Sequence, residues 1–87
     1  MSERLTTLGE AMRARRLALG LRQLDAAAAF SVDQATWSLW ERTATEPGAT
    51  FLRAIGDWLQ VDDQRLGMLL LGTRLRMAEV ALTRNGQ

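Results

Sequence analysis

Apolar residues recur along this chain at spacings of three and four, with polar residues between them. Leu5, Leu8, Met12 and Leu19, with Arg16 as the polar member, line one face and are followed by Gly20. That pattern predicts a first helix over about 7–19, ended by the glycine. Ala26, Ala27 and Phe30 mark the inner face of a second, shorter helix over about 23–30. A turn, Ser31-Val32-Asp33, follows, and the Asp33 carboxylate suits the orphan N–H groups at the start of a third helix over 34–42. Trp37 and Trp40 lie three apart there and are expected to share one buried face. Residues 43–48 hold the only Pro and read as a loop. A fourth helix is expected over 49–60 with Leu52, Ile55 and Leu59 inward. A fifth starts at Asp62 or Asp63 and runs to about Arg84, with Gly72 as the point where it can break.

Residue usage sharpens the fold class. Thirteen Ala and fifteen Leu stand against three Val and one Ile, which favours helices over strands. The expectation is an all-α bundle of about five helices. Its 87 residues suffice for one small domain over 1–87, with a core at 7–62 and a C-terminal helical extension at 63–84. The longest apolar run, Met68-Leu69-Leu70-Leu71, is far short of the ~20 residues that span a bilayer. With no apolar leader at the start of the chain, the expected location is cytoplasmic, with no membrane partner.

Missing residue types narrow the chemistry. The chain has no Cys, His, Tyr or Lys, so all eleven positive side chains are Arg. Disulfides and Cys/His metal sites are excluded, and no thiol, imidazole, amine or phenol side chain is present as nucleophile or base. The carboxylates and hydroxyls that remain sit in no catalytic spacing. These features argue against an enzyme and against a cofactor.

The net charge of +1 hides a pattern. Residues 1–24 carry five Arg against two acids, residues 25–63 two Arg against seven acids, and residues 64–87 four Arg against one acid. The ends are basic and the middle is acidic, so any contact with a polyanion must be local.

Two short helices joined by a tight turn, the second amphipathic, form a helix-turn-helix pattern. Close crossing needs a small residue in the first helix, met by Ala27. It also needs an apolar residue in the turn, Val32, and an apolar inner face on the second helix, Trp37 and Trp40. Around these stand Leu8-Gly9-Glu10, Arg13, Arg16, Gly20-Leu21-Arg22-Gln23, Ser38-Leu39, Glu41-Arg42, Pro47, and Leu52 through Leu59 to Val61. In this order and spacing, residues 8–62 resemble the Cro/repressor-type (XRE) helix-turn-helix family, the lambda-repressor-like DNA-binding domains. Three positions depart from it: Ser31 and Thr43 stand where the family has turn glycines, and Asp33 stands where it has Ser or Thr.

The resemblance implies that the third helix enters the major groove of double-stranded DNA. Gln34, Ala35, Ser38 and Leu39 would then face base edges, Gln34 by a bidentate amide to adenine. Arg22, Gln23, Thr36, Arg42 and Thr43 would contact the backbone, with Gln23 also bracing Gln34. Arg13 and Arg15 are expected to be solvated. Arg16 and Glu41 would form a structural ion pair between the first and third helices.

An apolar surplus remains at the C-terminal end. Phe51 and Trp58 occupy a face that four helices do not require to be apolar. Beyond them run two stripes, one of Leu66, Leu70, Met77 and Val80, the other of Leu71, Leu75, Ala78 and Leu82. A dimer interface built from Phe51, Trp58, Leu66, Leu70, Leu71, Leu75 and Met77 accounts for the surplus. The leading expectation is a dimeric repressor, either phage Cro-like or a small bacterial regulator, reading a near-palindromic operator. An antitoxin whose last helix binds a toxin, or an adaptor that kept the fold without DNA binding, are the alternatives.

Overall fold

A computed structural model describes residues 4–85. Among them there are five helices and no strand: α1 (Leu8–Ala18), α2 (Gln23–Ala29), α3 (Gln34–Glu41), α4 (Ala49–Leu59) and α5 (Asp63–Asn85). None is long and apolar enough to cross a membrane.

The starts of the helices follow from local chemistry. Thr7 caps α1 in a reciprocal box, its hydroxyl accepting from Glu10 N at 3.0 Å while Glu10 Oε1 accepts from Thr7 N at 2.8 Å. Asp33 caps α3, with Oδ1 accepting from Thr36 N at 2.7 Å. Arg22 is the cap residue before α2, and its backbone N–H donates to Asp25 Oδ2 at 3.0 Å.

The first four helices end in one way. Gly20, Ser31, Thr43 and Gln60 all have left-handed φ, of 71°, 58°, 59° and 61°. Each lets the next N–H reach back five residues: Leu21 to Arg16 O, Val32 to Ala27 O, Ala44 to Leu39 O and Val61 to Gly56 O, at 2.9–3.1 Å. This closure satisfies carbonyls left open at a helix end. Glycine takes that backbone freely, whereas side chains at Ser31, Thr43 and Gln60 take it under strain.

Leu8, Met12, Ala26, Ala27, Trp37, Trp40, Ile55 and Leu69 form the buried core. Trp37, fully buried, is its hub, with ring centroids 5.4 Å from Phe30, 5.6 Å from Trp58 and 5.9 Å from Trp40. Trp40 in turn meets Phe51 at 5.2 Å. Phe51 and Trp58 are therefore walls of an aromatic cluster, which corrects the expectation that their face lies outside the core. Three long rings need more lining than the aliphatic positions of four short helices supply. Leu5 and Leu19, placed on the inner face by spacing, are 39% and 44% exposed because they lie beyond the ends of α1.

α5 runs unbroken through Gly72. A Cβ at that position would collide with the Thr6 carbonyl oxygen, so the glycine serves close approach to the N-terminal arm. One residue on, the buried Thr73 hydroxyl accepts from Leu8 N at 2.8 Å and donates to Leu69 O at 2.9 Å. Arg76 adds bonds of 3.2 Å to Glu10 and to the Leu5 carbonyl. The last helix is thereby tied to the start of the first.

Candidate nucleic-acid interface

α3 is held from below by one carboxylate. Glu41 Oε2 accepts from Arg16 Nε at 2.6 Å and from Trp37 Nε1 at 2.5 Å, while Oε1 accepts from Arg16 Nη2 and Gln23 Nε2, each at 3.0 Å. The donors come from α1, α2 and α3 itself. Burial pushes the Glu41 carboxyl up, but the bonds from Arg16, Gln23 and Trp37 outweigh it and hold the group below its ordinary range. The same bond raises Arg16 further. Arg16 Nη1 also donates to the Leu21 carbonyl at 2.9 Å.

α1 and α3 touch almost backbone to backbone. A Cβ on Gly9 would run into the Trp40 carbonyl oxygen and lie 2.9 Å from that of Glu41, so only glycine fits there.

With Trp37, Trp40 and Glu41 facing inward, the opposite side of α3 looks out. Gln34 and Ala35 are exposed, and Thr36, Ser38 and Leu39 are half-buried. Positions 34, 35, 38 and 39 share one helical face. Asp33 sits beside this face, but its carboxylate is engaged by Thr36, whose side chain first and backbone N–H second lower its pKa. The acid is committed to capping α3.

The flanking residues are arranged less simply. Gln23 turns its amide nitrogen inward to Glu41, so that group serves the lock under α3. Arg22 is exposed, yet Asp25 holds it by two bonds, Nε at 3.0 Å and Nη2 at 2.9 Å. The Arg22 contacts keep the Asp25 carboxyl down at about 2. Arg42 is exposed at the end of α3, with Nε 3.4 Å from the Ser38 carbonyl. The Thr43 hydroxyl shares a hydrogen bond of 2.9 Å with that of Thr7.

Arg13 is exposed as expected, but Arg15 is half-buried and donates from Nε to the Trp58 carbonyl at 3.0 Å. Arg15 thus satisfies the end of α4. Leu66 and Leu70 pack against the core, and Met77 is half-buried, whereas Leu71 and Leu75 stay exposed. Sequence reasoning missed Asp25 and Thr73. The first was legible as an acid three residues after an Arg at a helix start. The second was legible as the inward step between Leu70 and Met77.

The profile of the helix-turn-helix domain family matches residues 7–67. Among solved structures, the chain is similar to the P22 c2 repressor protein, which was solved in complex with a synthetic operator in the presence of Tl+. The two are 36% identical with a TM-score of 0.63, over 77% of this chain and 97% of that one. None of the curated protein sequences matches the chain. With the profile spanning α1 to α4 and entering α5, the chain belongs to the helix-turn-helix domain family, in its Cro/repressor-type, lambda-repressor-like form.

Proposed function

We propose that this protein is a sequence-specific regulator of transcription that binds double-stranded DNA, working as a dimeric repressor on a near-palindromic operator. The observation that carries the reading is the outward face of α3, with Gln34 and Ala35 exposed and Ser38 and Leu39 beside them. The likeness to a repressor solved on an operator supports it. In this reading the start of α3 lies in the major groove. Gln34 pairs with adenine through its amide, and Ala35 and Leu39 pack on thymine methyls. Arg22, Arg42 and the helix-start backbone near Gln23 hold phosphates, with Thr36 and Thr43 beside them. The two Arg per subunit, about four phosphates per dimer, correspond to a log–log salt slope near −4.

A dimer places two reading heads about one helical turn apart, ~34 Å. Selection from a random duplex pool with purified protein tests the reading. Enrichment of a near-palindrome with that half-site spacing is expected, and a pool that stays random rejects it.

A further inference from the structure

α5 carries apolar residues on two opposite faces. Leu66, Leu69, Leu70 and the Thr73 hydroxyl are turned onto the body of the domain. Directly opposite, at 3.6 residues per turn, run Met68, Leu71, Leu75, Ala78 and Leu82. All five are exposed, Met68 by 42%, Leu71 by 45%, Leu75 by 49% and Leu82 by 73%. Their intervals are three, four, three and four, the a/d repeat of a coiled-coil seam. The stripe lies wholly beyond residue 67, where the match to the family ends.

We propose that this stripe is the seam of a parallel pair of α5 helices from two copies of the chain. The inference deepens the dimeric reading above and rests on it. Charge decides both the occupant and its direction. With Met68, Leu75 and Leu82 at a and Leu71 and Ala78 at d, Arg74 falls at g and Glu79 at the following e. In a parallel pair these are the two positions that meet across the seam, so each Arg74 faces Glu79 of the second copy. In an antiparallel pair g meets g and e meets e, so Arg74 would find no carboxylate across the seam and the Arg74–Glu79 contact would be lost. The remaining g positions, Gly67 and Ala81, are small and uncharged.

Both charges are available for that pairing. Arg74 uses Nε and Nη2 on Glu46, at 3.2 and 3.4 Å, which leaves Nη1 for another acceptor. Glu79 has Arg4 only at 3.9 Å, between side chains that are both more than half exposed.

The chain has no cysteine, so single-cysteine variants report on the seam without background. Met68→Cys and Leu82→Cys lie about 21 Å apart along the helix at 1.5 Å per residue. The expected result is a dimer in sedimentation equilibrium, with each variant cross-linking to itself under mild oxidation. Leu75→Glu weakens that dimer by about tenfold or more, with an unchanged helical circular dichroism spectrum. A dimer in which the two variants cross-link only with each other when mixed, or one that Leu75→Glu leaves intact, overturns the parallel seam and leaves the dimeric reading standing. A monomer at every concentration overturns both, and operator selection with that monomer reports separately on DNA binding.

Discussion

Arg16 and Glu41, 25 residues apart in the chain, meet through two guanidinium–carboxylate bonds with both side chains almost wholly removed from water. Among the described residues the carboxylate has no other neutralising charge in contact, and its remaining bonds come from an amide and an indole. Arg16→Ala strands it. The expected loss is about 3–5 kcal/mol of folding stability, read from urea denaturation. A loss within the range of an exposed ion pair would show that the pair is not the lock under α3.

Glu41 also sets an acid limit. Its carboxyl titrates lower in the folded protein than the value of about 4.3 for an unfolded chain. The unfolded state therefore takes up the proton first. The stability contributed is complete above that value and disappears as pH falls through the folded one. Denaturation midpoints across about pH 5 to pH 3 are expected to fall steeply in the wild type and less steeply in Glu41→Gln. Parallel curves would assign the slope to other carboxylates.

Ser31 is exposed and left-handed at the end of α2. A left-handed residue with a side chain costs about 1–2 kcal/mol, and glycine gives back about 0.5–1 in backbone entropy. Ser31→Gly is therefore expected to stabilise by up to about 1 kcal/mol, raising Tm by up to about 4–8 °C for a domain of this size. Calorimetry decides it, and a lowered Tm would mean the serine side chain contributes more than the strain takes away.

Asp25 holds Arg22 as a phosphate would. On the proposed function, DNA competes with that carboxylate for the guanidinium. Asp25→Asn removes the charge and keeps an oxygen for the Arg22 N–H. It is expected to tighten duplex binding at low salt and to steepen the salt slope by about one per subunit. An unchanged slope in fluorescence titrations would place Arg22 away from the backbone.

Gln34→Ala addresses base reading. The expected effect is a loss of about 1–3 kcal/mol of discrimination at one position of each half-site, with non-specific affinity unchanged. Competition between matched and substituted duplexes measures it. Equal losses on every duplex would reassign Gln34 to the backbone.

Much of the head was legible because its determinants are local. Asp33 caps α3, Gly20 ends α1, and Trp37 and Trp40 share a face because three-residue spacing puts them there. The Arg16–Glu41 pair was legible through resemblance alone, since nothing in either residue's neighbourhood names the other. Tertiary packing hid the rest. An apolar face at Phe51 and Trp58 announces burial without saying against what, and the partner proved to be the Trp37 cluster. Gly72 carries the signature of a helix break, yet its role depends on Thr6, far away in sequence. Nothing local to Gln23 names its acceptor, and folding delivers Glu41 to it. The outward face of α3 was readable by subtraction, once the inward residues were assigned.

The Thr73–Leu8 bond has a consequence for synthesis on the ribosome. It spans 65 residues, so α1 leaves the ribosome with its first N–H lacking that acceptor and its apolar side lacking Leu69. At about 5–20 residues per second, the wait for Thr73 is about 3–13 s. During that interval the Thr7–Glu10 box alone organises the start of the helix, and the nascent chain presents Leu8 and Met12 to whatever holds unfinished proteins.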